Sequence, residues 1–163
     1  DANTRMDETL VALRRILRAT ELYARDLANA VGLTPAQLRV LQIVDARDSA
    51  TPKALATQMG VSQATVSALV DKLVAQGLVE RVPSEQDRRQ VNVTVTRDGH
   101  DRLGAAPDAL RQRYARKFLD LADWEQAQLV ASLERVADML DARGFDAAPV
   151  LMTGELRTER KAD

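Results

Sequence analysis

The stretch TPKALATQMGVSQATVSALVDKLVAQG, residues 51–77, decides the fold. Thr51 followed by Pro52 is a helix start: a hydroxyl that accepts from the first free amides, then a ring whose missing N–H costs nothing in the first turn. The helix it opens carries Leu55 and Met59 on one side and stops at Gly60. After Val61, Ser62 is a second N-cap, and Val66, Leu69, Val70 and Leu73 follow at helical spacing until Gly77. A short helix, a one-glycine turn and a capped amphipathic helix make a helix-turn-helix, with the Ser62–Gln76 helix in the recognition position.

Outward from this stretch the periodicity changes. Leu78, Glu80 and Val82 alternate with Val79 and Arg81, and Val91, Val93 and Val95 alternate with Gln90, Asn92 and Thr94. With the polar Pro83–Arg89 segment between them, these runs predict a β-hairpin, a wing beside the helices. On the N-terminal side, Thr34, Pro35 and Gln37 form a capping box ahead of Leu38, Leu41, Gln42 and Val44. Before it, Leu10, Leu13, Leu17, Ala24 and Leu27 give a long helix from Thr9 to Ala30, ended by Gly32. Beyond the wing, Thr96 caps a helix running to about Leu121, broken by Pro107 near Ala105-Ala106. Asp123, boxed with Gln126, starts a last helix with the stripe Leu129, Leu133, Val136 and Leu140, ending at Gly144. Residues 146–163 show no period and read as a tail that docks through Val150, Leu151 and Met152.

The predicted fold is mainly α with a small β-hairpin wing. Residues 33–96 form a winged helix-turn-helix lobe, 1–32 and 97–145 long flanking helices, and 146–163 the tail. Composition narrows the function. The 163 residues contain no cysteine and one histidine, which removes disulfides and thiolate sites and disfavours a histidine-based metal centre. No cofactor and no metal are expected. No Gly-rich phosphate loop and no nucleophile–base pair accompany His100, so an enzyme is not expected. The acidic, polar segment from Asp1 to Leu10 does not read as a secretory signal, and no apolar run is long enough for a membrane span, so a cytoplasmic location is expected.

The charge balance is 23 basic against 24 acidic residues, so nucleic-acid binding has to come from local placement. On the recognition helix the apolar stripe turns inward and leaves Ala64, Ser67, Ala68 and Asp71 outward, with Gln63 and Thr65 beside them. Small side chains let the backbone approach base edges. Gln63 can bond adenine, Thr65 and Ser67 bases or phosphates, and alanine methyls can touch thymine. At the hairpin tip, Arg88 and Arg89 can reach a narrow minor groove, and Asp87 can hold one of them in a bidentate pair. Thr51, Lys53 and the amides of that helix start suit phosphate contacts. Lys72 adds a cation, yet residues 51–95 hold only five cations against four carboxylates, so non-specific affinity should be weak and salt-dependent.

Taken together, LTPAQLRVL at 33–41, TPKALA at 51–56, VSQATVS at 61–67, the 73–78 segment, Asp87-Arg88-Arg89 and VTRDG at 95–99 resemble the MarR family of winged-helix regulators across roughly residues 8–144. The resemblance implies a homodimer whose first and last helices interleave, binding of double-stranded DNA at a palindromic operator, and usually repression. It implies that Arg89 enters the minor groove. Asp71, late in the recognition helix, either supports the wing or pairs along its own helix. It further implies a small-molecule effector site between the flanking helices and the lobe, with Arg14, Arg18, Tyr23, His100 and Trp124 as candidates; from the residues alone, Tyr23 and Trp124 read more readily as core. The proline break, the Asp123–Gln126 segment and the Ala148-Pro149-Val150 tail resemble a subgroup tied to compatible-solute (ectoine) genes and osmotic response. The competing reading is a winged-helix module for protein–protein assembly without operator binding.

Overall fold

The computed structural model describes residues 1–105 and 109–142. Helix α1 spans Ala2–Ala30, α2 Pro35–Arg47, strand β1 Ser49–Ala50, α3 Pro52–Met59, α4 Gln63–Ala75, β2 Val79–Pro83, β3 Val91–Val95, α5 Arg97–Ala105, α6 Ala109–Leu119 and α7 Asp123–Met139. Among the described residues, no helix is long and apolar enough to cross a membrane.

Local signals set most of the boundaries. The Thr34 hydroxyl accepts from Gln37 N at 3.2 Å while Gln37 Oε1 accepts from Thr34 N at 3.1 Å, the reciprocal box expected. The Thr51 and Ser62 hydroxyls each accept the amide three residues on, from Ala54 and Thr65, at 3.1 Å. At the other ends, Gly60 takes φ +68° and Gly77 φ +71°. This left-handed turn lets Val61 N and Leu78 N reach back to the carbonyls of Ala56 and Leu73.

Three boundaries differ from the expectation. Helix α1 begins at Ala2 rather than Thr9, because residues 3–8 lack an apolar stripe but contain no breaker, and the Asp1 carboxylate accepts from Asn3 N. Helix α7 is capped one residue earlier than predicted: Glu125 Oε2 accepts from Ala122 N at 2.8 Å. Gln126 instead donates to the carbonyls of Phe118 and Leu121, closing the end of α6. Helix α7 ends at Met139 rather than at Gly144, with Asp141 in the left-handed region at φ +54°. Pro107, Gly144 and the Val150–Met152 segment lie outside the described residues.

The wing is a three-stranded antiparallel sheet in the order β1-β3-β2. The hairpin was expected; β1, pairing Ser49 with Thr94 and Ala50 with Val93, was not. The core runs from Ala28 through Leu41, Ile43, Leu55, Val66, Leu73, Leu78 and Val93 to Leu103, so it lies within the end of α1, the helix-turn-helix, the sheet and α5. On α4, Val66, Val70 and Leu73 are fully buried and Leu69 packs on the edge of the cluster. By contrast, α7 contributes no buried residue.

Candidate nucleic-acid interface

The outward face of α4 is as small and neutral as its sequence. Ser62, Gln63, Ala64, Thr65, Ser67 and Ala68 are all exposed, and Ala64, Ser67 and Ala68 lie on the side away from the buried stripe. The hydroxyls of Ser62 and Thr65 lie 2.9 Å apart and bond one another while Ser62 caps the helix. Among the described residues, the side-chain polar groups of Gln63 and Ser67 have no hydrogen-bond partner. Lys72 is exposed but sits in the last turn, remote from the end that leads into a groove.

The wing stands beside this face. Its tip is closed by its own residues: Ser84 N donates to Gln90 O and Gln90 N to Asp87 O, both at 2.9 Å. The Asp87 carboxylate does not form the expected bidentate pair. It folds back to accept from Arg89 N at 3.0 Å, because an Asp in a tight turn reaches the amide two residues on more readily than a long, solvated guanidinium. Asp87 therefore shapes the turn, and the Arg88 and Arg89 guanidinium groups, both exposed, pair with no described residue.

Sequence reasoning missed Arg81. Its Nη2 donates to Asp71 Oδ1 at 2.5 Å and lies 3.4 Å from the Ser67 carbonyl, tying β2 to the middle of α4. Asp71 thus faces the sheet and not a neighbour along its own helix. The available signal was the alternation: Arg81 shares a face with buried Val79 and lies opposite Val93, so its side chain had to meet α4. Such a partly exposed pair stabilises by only about 0.2–1 kcal/mol. Arg81→Ala is accordingly expected to leave the melting temperature nearly unchanged while weakening DNA binding about three- to tenfold, by loosening the wing. Parallel melting curves and DNA titrations check this; a collapse of the fold would show the pair to be structural instead.

At the start of α3, Lys53 is exposed and Thr51 half-buried, with the Thr51 hydroxyl already capping. The effector-site candidates are placed apart from one another in their contacts. Arg18 pairs with Glu21 one turn along α1 at 3.5 Å, and Arg14 is exposed. Half-buried Tyr23 carries Arg113 of α6 over its ring at 6.0 Å, a partner the sequence did not reveal. Trp124 is 68% exposed, so the core reading does not hold for it within one chain.

His100 on α5 meets Asp45 at the end of α2, Nδ1 to Oδ1 at 2.7 Å. The hydrogen bond to Asp45, then the charge of that carboxylate with a smaller push from Asp101, raises the imidazole above its ordinary value. A raised folded-state pKa means the pair's contribution is complete below about pH 6.5 and fades as pH rises through the folded value. His100→Asn should thus lower the melting temperature more at pH 6 than at pH 8.5, and only slightly at either, since the imidazole is largely solvated. An equal shift at both values would show the charge to be irrelevant. Among the described residues, no group of three His, Cys, Asp or Glu could hold a metal.

Comparison with known proteins agrees with this geometry. Residues 31–90 match the MarR family model. The chain is 24% identical over 140 residues to the Bacillus subtilis HTH-type transcriptional repressor MdtR, covering 84% of this chain and 90% of that one. It is 33% identical over 92 residues to the uncharacterized HTH-type transcriptional regulator YcgE of the same organism, covering 56% of this chain and 60% of that relative. The solved transcriptional regulator BldR from Sulfolobus solfataricus superposes with a TM-score of 0.58 at 27% identity, over 82% of this chain and 97% of that one. The segment from the end of α1 to the wing tip therefore matches the MarR family model, and over most of its length the chain is similar to HTH-type transcriptional regulators.

Proposed function

We propose that the chain acts as a homodimer that represses transcription from a palindromic operator. In this reading α4 enters the major groove through Ser62, Gln63, Ala64, Thr65 and Ser67, and Arg89 enters the adjacent minor groove, flanked by Arg88. Thr51, Lys53 and Lys72 meet phosphates, Asp71 supports the wing through Arg81, and Asp87 shapes its tip. The observation that carries it is the pairing of a small, neutral, exposed α4 face with two arginines, paired with no described residue, on a wing tied to that same helix. The matched relative named as a repressor supports the sign of regulation.

Dimerisation is supported by apolar surface that one chain leaves uncovered. Leu10, Ile16 and Leu17 on α1 and Leu129, Val130 and Leu133 on α7 are all exposed. Residues 1–32 and 97–145 are read as the dimerisation helices for that reason, and such large patches on a single chain mark an interface. Leu133→Asp should convert the dimer to monomer in sedimentation and abolish operator binding, because two half-sites one turn apart need two linked lobes. A Leu133→Asp dimer that binds DNA normally would remove α7 from the interface.

The effector is proposed to bind near Tyr23 and Arg113 and to shift the dimer towards lobe spacings unsuited to DNA. An osmotic or compatible-solute signal is the proposed input, and cytoplasmic DNA the proposed site of action. Titration of the protein against its own promoter at two salt concentrations tests the central reading. Strong salt dependence and a protected palindrome are expected; salt-independent or absent binding would favour a protein–protein assembly module.

A further inference from the structure

We infer that α4 reads its half-site through thymine methyl groups, with no bidentate guanine contact from this helix. The inference rests on the operator-binding reading above and specifies what that operator presents. Discrimination of guanine in the major groove uses an Arg or Lys that bonds O6 and N7 together. Over its first turns α4 offers no such group: Gln63, Ala64, Thr65, Ser67 and Ala68 are the side chains exposed there. The cations nearby are committed or misplaced. Arg81, which does touch α4, is held by Asp71 and the Ser67 carbonyl. Lys72 projects from the last turn, and Arg88 and Arg89 stand on the wing.

The hydroxyls that could have served as general readers are also partly used. Ser62 and Thr65 bond each other and the helix N-terminus, which leaves the Thr65 methyl as that side chain's remaining apolar contact group. The groups left to meet bases are the methyls of Ala64, Ala68 and Thr65, the Gln63 amide and the Ser67 hydroxyl. Ala64 and Ala68 stand one turn apart on one face, with β-carbons roughly 6 Å from each other, which spans about two base-pair steps. Methyl against methyl is the contact that only thymine returns in the major groove, and the Gln63 amide matches the N6 and N7 pair of adenine. Both preferences select A·T pairs beneath the helix.

The test begins with selection of duplexes from a random-sequence library by the full chain. The selected site is then rebuilt with uracil for thymine, which removes only the 5-methyl, or with 7-deazaguanine for guanine, which removes only N7. The expected result is A·T enrichment at the positions facing α4 and about fourfold weaker binding for each contacted methyl removed. The 7-deazaguanine sites should bind within about twofold of the parent. In the Ala64→Ser, Ala68→Ser double variant the uracil penalty should shrink, since the protein's side of the contact is then polar. Tight binding to the uracil site, or G·C enrichment with loss on 7-deazaguanine, overturns this inference and leaves operator binding intact. Failure to enrich any duplex overturns operator binding itself.

Discussion

Gly99→Ala is expected to lower stability by roughly 3 kcal/mol. Gly99 lies in α5 where the helix crosses the sheet. A β-carbon built there would sit 2.1 Å from the Leu78 carbonyl oxygen and 2.8 Å from Val95 Cγ2. The first of these is backbone, and that carbonyl is already fixed as the acceptor of Thr96 N at 3.0 Å, so it cannot swing aside. The clash would push α5 off the core that Leu103 and Leu78 share. For a chain of this length a loss of that size corresponds to a fall in melting temperature of about 6–12 °C. Gly104, in the same helix, has nothing within 4 Å of the corresponding position. Gly104→Ala should therefore be neutral or stabilising by up to about 1 kcal/mol, through helix propensity alone. Thermal melts of the two variants side by side check the reasoning. Equal losses would mean that glycine is needed for flexibility in α5 rather than for room.

Among the residues placed against the DNA, Arg89→Ala is expected to have the largest effect on affinity. An arginine in a narrow minor groove meets the most negative potential along the duplex, and losing a contact of this kind costs about 1–3 kcal/mol. That is roughly a five- to 150-fold weaker complex, with two wings per dimer at stake. The slope of log affinity against log salt should flatten by about one for each arginine removed. Because the side chain is exposed and pairs with nothing described, the melting temperature should not move. Arg88→Ala serves as the comparison: it removes the same charge from the same turn, so a smaller loss there separates groove insertion from general attraction. Indistinguishable losses would reduce the wing to an unspecific cation.

Elements whose signals are local could be read from the residues in order. Thr34, Thr51 and Ser62 each announce a helix through a bond to an amide three residues away, and Gly60 and Gly77 end helices through a φ that other residues avoid. The α4 wheel was legible for the same reason, since one helix face is decided by spacing within a dozen residues. What was missed depends on partners distant in sequence. Strand β1 has two residues, too few to show alternation, and exists only because Val93 and Thr94 offer an open edge. His100 and Asp45 are 55 positions apart. At α7 two overlapping capping boxes compete, and the one with the weaker cap residue prevails because Gln126 is needed by the carbonyls at the end of α6. Asp87 illustrates a local signal read for the wrong partner, a side chain where the turn supplied an amide.

The chain contains no cysteine, so a single introduced thiol is a unique attachment point. An iron chelate tethered at Gln86→Cys, on the wing turn beside Arg88 and Arg89, should cut bound operator on both flanks, with the strand offset that marks a minor groove. The same chelate at Ala19→Cys, on α1, should leave the DNA intact. Cleavage from the wing at two symmetric minor-groove positions is the predicted result. Protected operator with no cleavage from the wing, or equal cleavage from α1, would contradict the placement of helix and wing on which the whole account stands.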